Sequence, residues 1–152
     1  MGNYHFVPDL EKAKETEKEI AEKLQNKYGA VILEFGKTNE YDLLLEMKGM
    51  ELSFEIKEDF YCEKSGNVAV EFECRGKPSG ISVSKALYYL YKIHTKTGIL
   101  YAVCKTTTLK KMIDQELYHR VVSGGDSGSN TKNYLFTLET FTQKCKLLPL
   151  DN

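Results

Sequence analysis

Tyr41-Asp42-Leu43-Leu44-Leu45-Glu46-Met47-Lys48-Gly49-Met50-Glu51-Leu52-Ser53-Phe54-Glu55-Ile56-Lys57 is the stretch on which the reading of this chain turns. It alternates as two strands around a Lys48-Gly49 turn. Leu43, Leu45 and Met47 share one face of the first strand, and Leu52, Phe54 and Ile56 share one face of the second. A two-residue turn at Lys48-Gly49 pairs Met47 with Met50. Each step outward keeps that register, so Asp42 falls opposite Glu55 at a cross-strand separation of roughly 5 Å. Alternation also puts Lys57 on the face of Glu55. Two facing carboxylates with a lysine beside them are costly next to a core unless a metal ion neutralises them. The spacing fits two readings, a solvated strand face or a cation site able to attack a phosphodiester.

The segment before the hairpin bears on that choice. Residues from about Asp9 to Tyr28 read as one helix, with Pro8 ahead of it and Gly29 just past its end. Leu10, Ala13, Ile20, Ala21, Leu24 and Tyr28 form one apolar stripe at helical spacing. Glu17 falls inside the stripe, one turn from both Ala13 and Ala21, whereas Glu11, Glu15, Glu19 and Glu22 fall off it or at its margin. A glutamate on a buried face needs a partner. Glu17 is either half of a buried ion pair (or a stripe edge that reaches water), or it points at the same ion as Asp42 and Glu55.

With Glu17, Asp42 and Glu55-x-Lys57 in this order, the chain resembles the PD-(D/E)xK nuclease superfamily over roughly residues 9 to 105. Tyr41 stands where the motif has proline. The resemblance implies a mixed α/β (α+β) fold with a restriction-endonuclease-like core: a helix, a three-strand meander, a second helix and a further strand, giving a mixed central sheet flanked by helices. The residues are assigned in that order. Val68-Ala69-Val70-Glu71-Phe72-Glu73-Cys74-Arg75 alternates as the third strand. Ser82 to His94 is expected to be a helix, capped by Ser82 or Ser84 and carrying Leu87, Leu90, Tyr91 and His94 at helical spacing. Gly98 breaks the pattern, and Ile99 to Cys104 suits a central, doubly covered strand. Pro78-Ser79-Gly80-Ile81 leading into Ser84 to Tyr89 is similar to the loop and second helix of phage and mobile-element nucleases.

The resemblance implies an enzyme, a Mg²⁺-dependent deoxyribonuclease in which Mn²⁺ can substitute. Asp42 and Glu55 are the implied metal ligands, with the Ile56 backbone carbonyl as a third and Glu17 completing the shell directly or through a water. Hard oxygen ligands of this kind suit Mg²⁺. Such an ion polarises the scissile phosphate and acidifies a bound water. Lys57 then positions that water and offsets charge in the transition state. Around this set, Lys85 and Ser84 at the start of the expected second helix can meet phosphate, although Ser84 is equally an N-cap. Arg75 and Lys77, in the loop before that helix, are candidate contacts to the DNA backbone or ordinary solvated loop charges. A junction-resolving, restriction or homing type of endonuclease acting as a homodimer is expected. The competing readings are a catalytically inactive nucleic-acid-binding or assembly module that keeps the nuclease fold, and an α/β interaction domain whose acids are unrelated.

Composition sets the outer bounds. The 152 residues make one domain of ordinary size, with 41% hydrophobic and 28% charged residues. No apolar run is long enough to span a bilayer, and Met1 to His5 does not open a secretory leader. Cys62, Cys74, Cys104 and Cys145 form no CxxC pair, so reduced thiols and a cytoplasmic protein are expected (the host cytosol, if the chain is phage- or mobile-element-encoded). A net charge of −1 carries no basic signature, so DNA affinity has to come from local lysines such as Lys57, Lys64, Lys77, Lys85, Lys92 and Lys96. Thr106 to Leu117 reads as a helix capped by Thr107 or Thr108, residues 123 to 133 as a flexible loop, Tyr134 to Leu138 as an added strand, and Phe141 to Leu150 as a closing segment. Gly125-Asp126-Ser127-Gly128 spells a serine-protease signature, but the chain is too short for that double barrel.

Overall fold

The structure is a computed structural model that describes residues 2–36, 40–124 and 130–151, with side chains from residue 12 onward. It is a mixed α+β fold whose mixed central sheet is flanked by helices. The chain opens with helix α1 (Gly2–Tyr28), then strands β1 (Val31–Phe35), β2 (Leu43–Met47) and β3 (Met50–Asp59). The short helix α2 (Cys62–Ser65) leads to β4 (Asn67–Cys74) and β5 (Lys77–Pro78). A 3₁₀ turn (Gly80–Ser82) precedes β6 (Tyr88–Thr95) and β7 (Gly98–Lys105). Helix α3 (Thr106–Asp114), β8 (Arg120–Gly124), β9 (Thr131–Thr137), helix α4 (Leu138–Gln143) and β10 (Lys146–Leu147) complete it.

The hairpin forms as its alternation requires. Lys48 and Gly49 both take positive φ, 54° and 77°, and join β2 to β3 in the register Met47↔Met50 through Leu43↔Phe54. A turn with two left-handed residues matches the twist of the strands it joins. The central sheet has the order β1-β2-β3-β6-β7-β10, antiparallel throughout except for the parallel pair β3–β6. A second sheet, β5-β4-β9-β8, is antiparallel.

Alternation along each strand divides the interior into two cores. Ile20, Ala21 and Leu24 of α1 pack on Leu43, Leu45, Phe54, Ile56, Leu90 and Tyr101. On the other face, Tyr89, Tyr91, Ile93, Ala102 and Cys104 meet Val68, Val70 and Phe136 of the second sheet, with Leu109 and Met112 of α3 and Phe141 of α4. The central sheet therefore lies between α1 and a layer made of the second sheet and the remaining helices.

Several expectations need correcting. Helix α1 begins at Gly2, so Pro8 lies within it and does not mark its start. Its buried stretch begins at Thr16: Ala13 is exposed, Tyr28 is largely exposed, and Leu10 lies outside the described side chains. Glu19 is not bare surface, for it pairs with Lys92 at 2.6 Å. The segment 82–94 is not a helix. After the 3₁₀ turn it becomes β6, where Tyr89 through Ile93 are all buried. A strand covered on both faces loses its alternation, and Leu87, Leu90, Tyr91 and His94 then mimic helical spacing.

The meander is β1–β2–β3, and β4 belongs to the second sheet, although its inward residues are those the alternation selects. α3 starts one residue before its expected caps, with Thr106 Oγ1 donating to Ala86 O at 2.6 Å. The expected loop at 123–133 narrows, because Ser123 and Gly124 end β8 and Thr131 opens β9; residues 125–129, including the whole Gly125-Asp126-Ser127-Gly128 stretch, lie outside the described residues. The four cysteines are free thiols. Among the described residues, no helix is long and apolar enough to cross a membrane.

Candidate functional site

Asp42 lies one residue beyond the last β2–β3 pair, where the chain still follows the strand: its N–H donates to Phe54 O at 2.8 Å. Its carboxylate turns across to β3 and accepts the Ile56 N–H at 2.8 Å. That bond fixes the carboxylate beside Glu55. On β3 itself, Phe54 and Ile56 are buried against α1, so Glu55 and Lys57 point to the opposite face. There the Lys57 ammonium stands 3.5 Å from Glu55 Oε2. The three groups the hairpin was expected to assemble are assembled.

They line a cleft of about 300 Å³ together with Pro78, Ser79, Gly80, Val83 and Ser84. The far wall is the loop between β5 and β6, and β4 holds it in place. Ser79 N donates to Phe72 O at 3.1 Å, Ser79 Oγ to Glu71 Oε2 at 2.8 Å, and Ser82 Oγ to Phe72 O at 2.9 Å. Gly80 has a positive φ of 51°, and a Cβ there would sit 2.1 Å from Glu71 O. Only glycine permits this close approach of loop to strand. Ser84 closes the wall, donating to Glu55 Oε1 at 3.4 Å and accepting from Ala86 N at 3.3 Å.

Charge in the cleft is under strain. Burial, together with the Asp42 carboxyl in hydrogen-bonding reach, pushes Glu55 up to about 7 against the opposing pull of Lys57. Glu17 also rises to about 7, first by burial and then by the charges of Asp42 and Glu55. Glu17 thus senses both acids, and Lys57 as well, from helix α1. Among the described residues, no group of three or more His, Cys, Asp or Glu side chains is placed to hold an ion by itself. The ready-made part of the site is the Asp42–Glu55 pair with Lys57.

The chemistry of this donor set fits a hard divalent cation. The Glu55 carboxyl, pushed up by burial and by the neighbouring Asp42, is the group that gains most from a small cation beside it, and oxygen donors are the kind that Mg²⁺ selects. Asp42 and Glu55 are the residues that would hold it.

The remaining assigned residues divide. Ser84 stands inside the site, touching Glu55, and it heads no helix. Lys85 is exposed on the rim, 3.7 Å from Glu40, and its N–H donates to Glu40 O. Lys77 is exposed on β5, next to Pro78 of the cleft. Arg75 occupies the β4–β5 turn with Gly76, lining a different surface depression with Glu73 and Lys132. Lys92 is not a surface cation at all, since it is buried beneath α1. The expectations about helix 82–94 also hid one neighbour of the acids: Tyr89 pairs with Glu55 across the parallel β3–β6 ladder.

The fold and the cleft define a mixed α+β protein with a carboxylate pair and an adjacent lysine in one cleft. No family model and no curated protein matches the sequence. Among solved structures the chain is similar to a bacterial homing endonuclease, I-Ssp6803I, with 19% identity and a TM-score of 0.41, over 59% of this chain and 64% of that one. The chain thus spans less than two thirds of that protein's length.

Proposed function

We propose that the protein is a Mg²⁺-dependent endonuclease that hydrolyses DNA phosphodiester bonds with a PD-(D/E)xK-type site. The observation that carries this reading is the convergence of Asp42, Glu55 and Lys57 on one wall of a cleft, with the Glu55 carboxyl pushed up to about 7 beside Asp42. A divalent cation held there supplies Lewis acidity toward phosphate and a water acidified toward neutrality. Asp42 and Glu55 would hold the ion, with the Ile56 carbonyl as a third protein donor. Glu17 would complete the shell, directly or through a water. Lys57 neutralises charge gathering on the phosphate as the bond breaks, a task suited to a fixed point charge. Lys77 and Lys85 on the rim are the proposed backbone contacts, with Arg75 a more remote one.

One site cuts one strand, so a double-strand break calls for two copies, and a homodimer belongs to the proposal. The test is incubation with supercoiled plasmid, single-stranded DNA and a four-way junction in Mg²⁺, Mn²⁺ or EDTA. Cleavage that EDTA abolishes, and that Asp42→Ala or Lys57→Ala lowers by about a hundredfold or more, supports the reading. Linear product without accumulated nicked circles supports the dimer. DNA binding without cleavage in every metal replaces the enzyme with an inactive binding module, and neither binding nor cleavage removes nucleic acid altogether.

A further inference from the structure

Tyr89 is the residue that the site leaves unexplained. It is 1% exposed, and its hydroxyl is the one buried side-chain oxygen or nitrogen among the described residues that has no hydrogen-bond partner. An unpaired buried hydroxyl costs free energy, so its retention calls for a reason. Tyr91, two residues along the same face, shows the ordinary solution: its hydroxyl donates to Ala69 O at 2.9 Å.

The position of Tyr89 supplies the reason. β3 and β6 run parallel with Glu55 beside Tyr89, and Asp42, just ahead of β2, flanks Glu55 on the other side. The two acids and the phenol thus form one row over three adjacent strands, all on the face that meets the second sheet. Ser84, which donates to Glu55 and accepts from Ala86 N, is the polar side chain near enough to act on the phenol, but it stands outside hydrogen-bonding geometry with it. The Tyr89 side chain also lines a cavity of about 190 Å³ with Lys57, Glu71, Gly80 and Asn133.

Resting on the nuclease reading above, we propose that Tyr89 is a positioning residue that donates its hydroxyl proton to the Glu55 carboxylate when that group holds a divalent cation. Without a cation, Glu55 faces Asp42, Lys57 and Ser84, and the phenol has nothing to donate to. A cation held by one Glu55 oxygen would leave the other as the acceptor that the phenol lacks. A ligating carboxylate held from behind keeps its orientation and its basicity.

The test uses the full chain and Tyr89→Phe, which keeps the ring and removes only the oxygen. Two quantities are read: the melting temperature in EDTA, and the affinity for Mn²⁺ by calorimetric titration. The expected result is an EDTA melting temperature equal to or above that of the parent, because an unsatisfied group has gone, together with Mn²⁺ binding weaker by about tenfold or more. A purely structural tyrosine gives the reverse, a lower EDTA melting temperature with unaltered Mn²⁺ affinity, and that overturns the proposal. So does unaltered affinity with unaltered stability. If the parent protein binds no Mn²⁺, the nuclease reading fails and takes this one with it; if the parent binds and Tyr89→Phe binds equally well, only the role of Tyr89 fails.

Discussion

Glu17 and Glu55 give the site its clearest pH signature. Both carboxyls sit at about 7 in the folded protein, against an ordinary value of 4.5. The native state therefore holds more protons than the unfolded state between those values, and stability falls as pH rises from about 4.5 through about 7 before levelling off. Glu58 moves the other way: Thr16 and His94 hydrogen bonds and the Lys92 charge outweigh its burial and lower it. Its contribution is present above 4.5 and is lost only as pH falls further, outside this window. Melting temperatures in EDTA should therefore be higher at pH 5 than at pH 8, with Glu17→Gln and Glu55→Gln each flattening the slope and Mg²⁺ offsetting it at pH 8. At this scale the sequence was most legible. Asp42 opposite Glu55, and Lys57 on its face, follow from a two-residue turn and a period of two, both local rules. Glu17 was singled out by one helical stripe, but how far it stands from the two acids depends on how α1 docks, which no local rule fixes.

Strand β6 shows the same limit for a whole element. Its residues are buried on both faces, so the period that separates strand from helix is absent, and tyrosines at 88, 89 and 91 were the remaining strand signal. β1 was similarly missed, although Val31-Ile32-Leu33-Glu34-Phe35 between Gly29 and Gly36 carries the composition of a strand. Once β6 is a strand, Lys92 faces α1, and what looked like a surface cation becomes the tie between helix and sheet. Its side chain is 11% exposed and meets Glu19 at 2.6 Å and Glu58 at 3.7 Å. Glu58 in turn accepts from Thr16 at 2.6 Å and contacts His94 at 2.7 Å. Lys92→Met leaves Glu58 buried without its cation, although Thr16 and His94 still serve it. The expected loss is about 2–3 kcal/mol by urea unfolding, below the full cost of orphaning a buried charge. Adding Glu58→Gln should recover part of that loss, because it removes the stranded charge; a double variant no better than the single one would mean that Lys92 acts through packing alone.

At the scale of the whole molecule, the site depends on two sheets keeping their relative position, and this was the least legible layer. β4 pairs with β9, from the far end of the chain, and such pairing leaves no mark on either strand alone. Beside the Tyr91 hydroxyl bond to Ala69 O, the sheets are tied near the site by Asp59, the last residue of β3 and 7% exposed. One carboxylate oxygen accepts the N–H groups of Tyr61 at 3.0 Å and Cys62 at 2.9 Å, which shapes the turn into α2. The other accepts Ala69 N–H on β4 at 3.1 Å. Asp59→Ala strands three backbone donors, and about 3 kcal/mol of stability should go with them in urea unfolding. Asp59→Asn keeps a single accepting oxygen and should recover only part. The consequence for the site is a separate matter. Glu71 and Phe72 of β4 anchor the loop that brings Ser84 to Glu55, so a β4 loosened from β3 also loosens the wall around the acids. Asp59→Ala should then weaken Mn²⁺ binding even at temperatures far below its melting point, although Asp59 has no assigned part in holding the ion. A variant that loses the stability but binds Mn²⁺ like its parent would show that the carboxylate pair is organised by the hairpin alone, with the second sheet as scaffold and no part of the site.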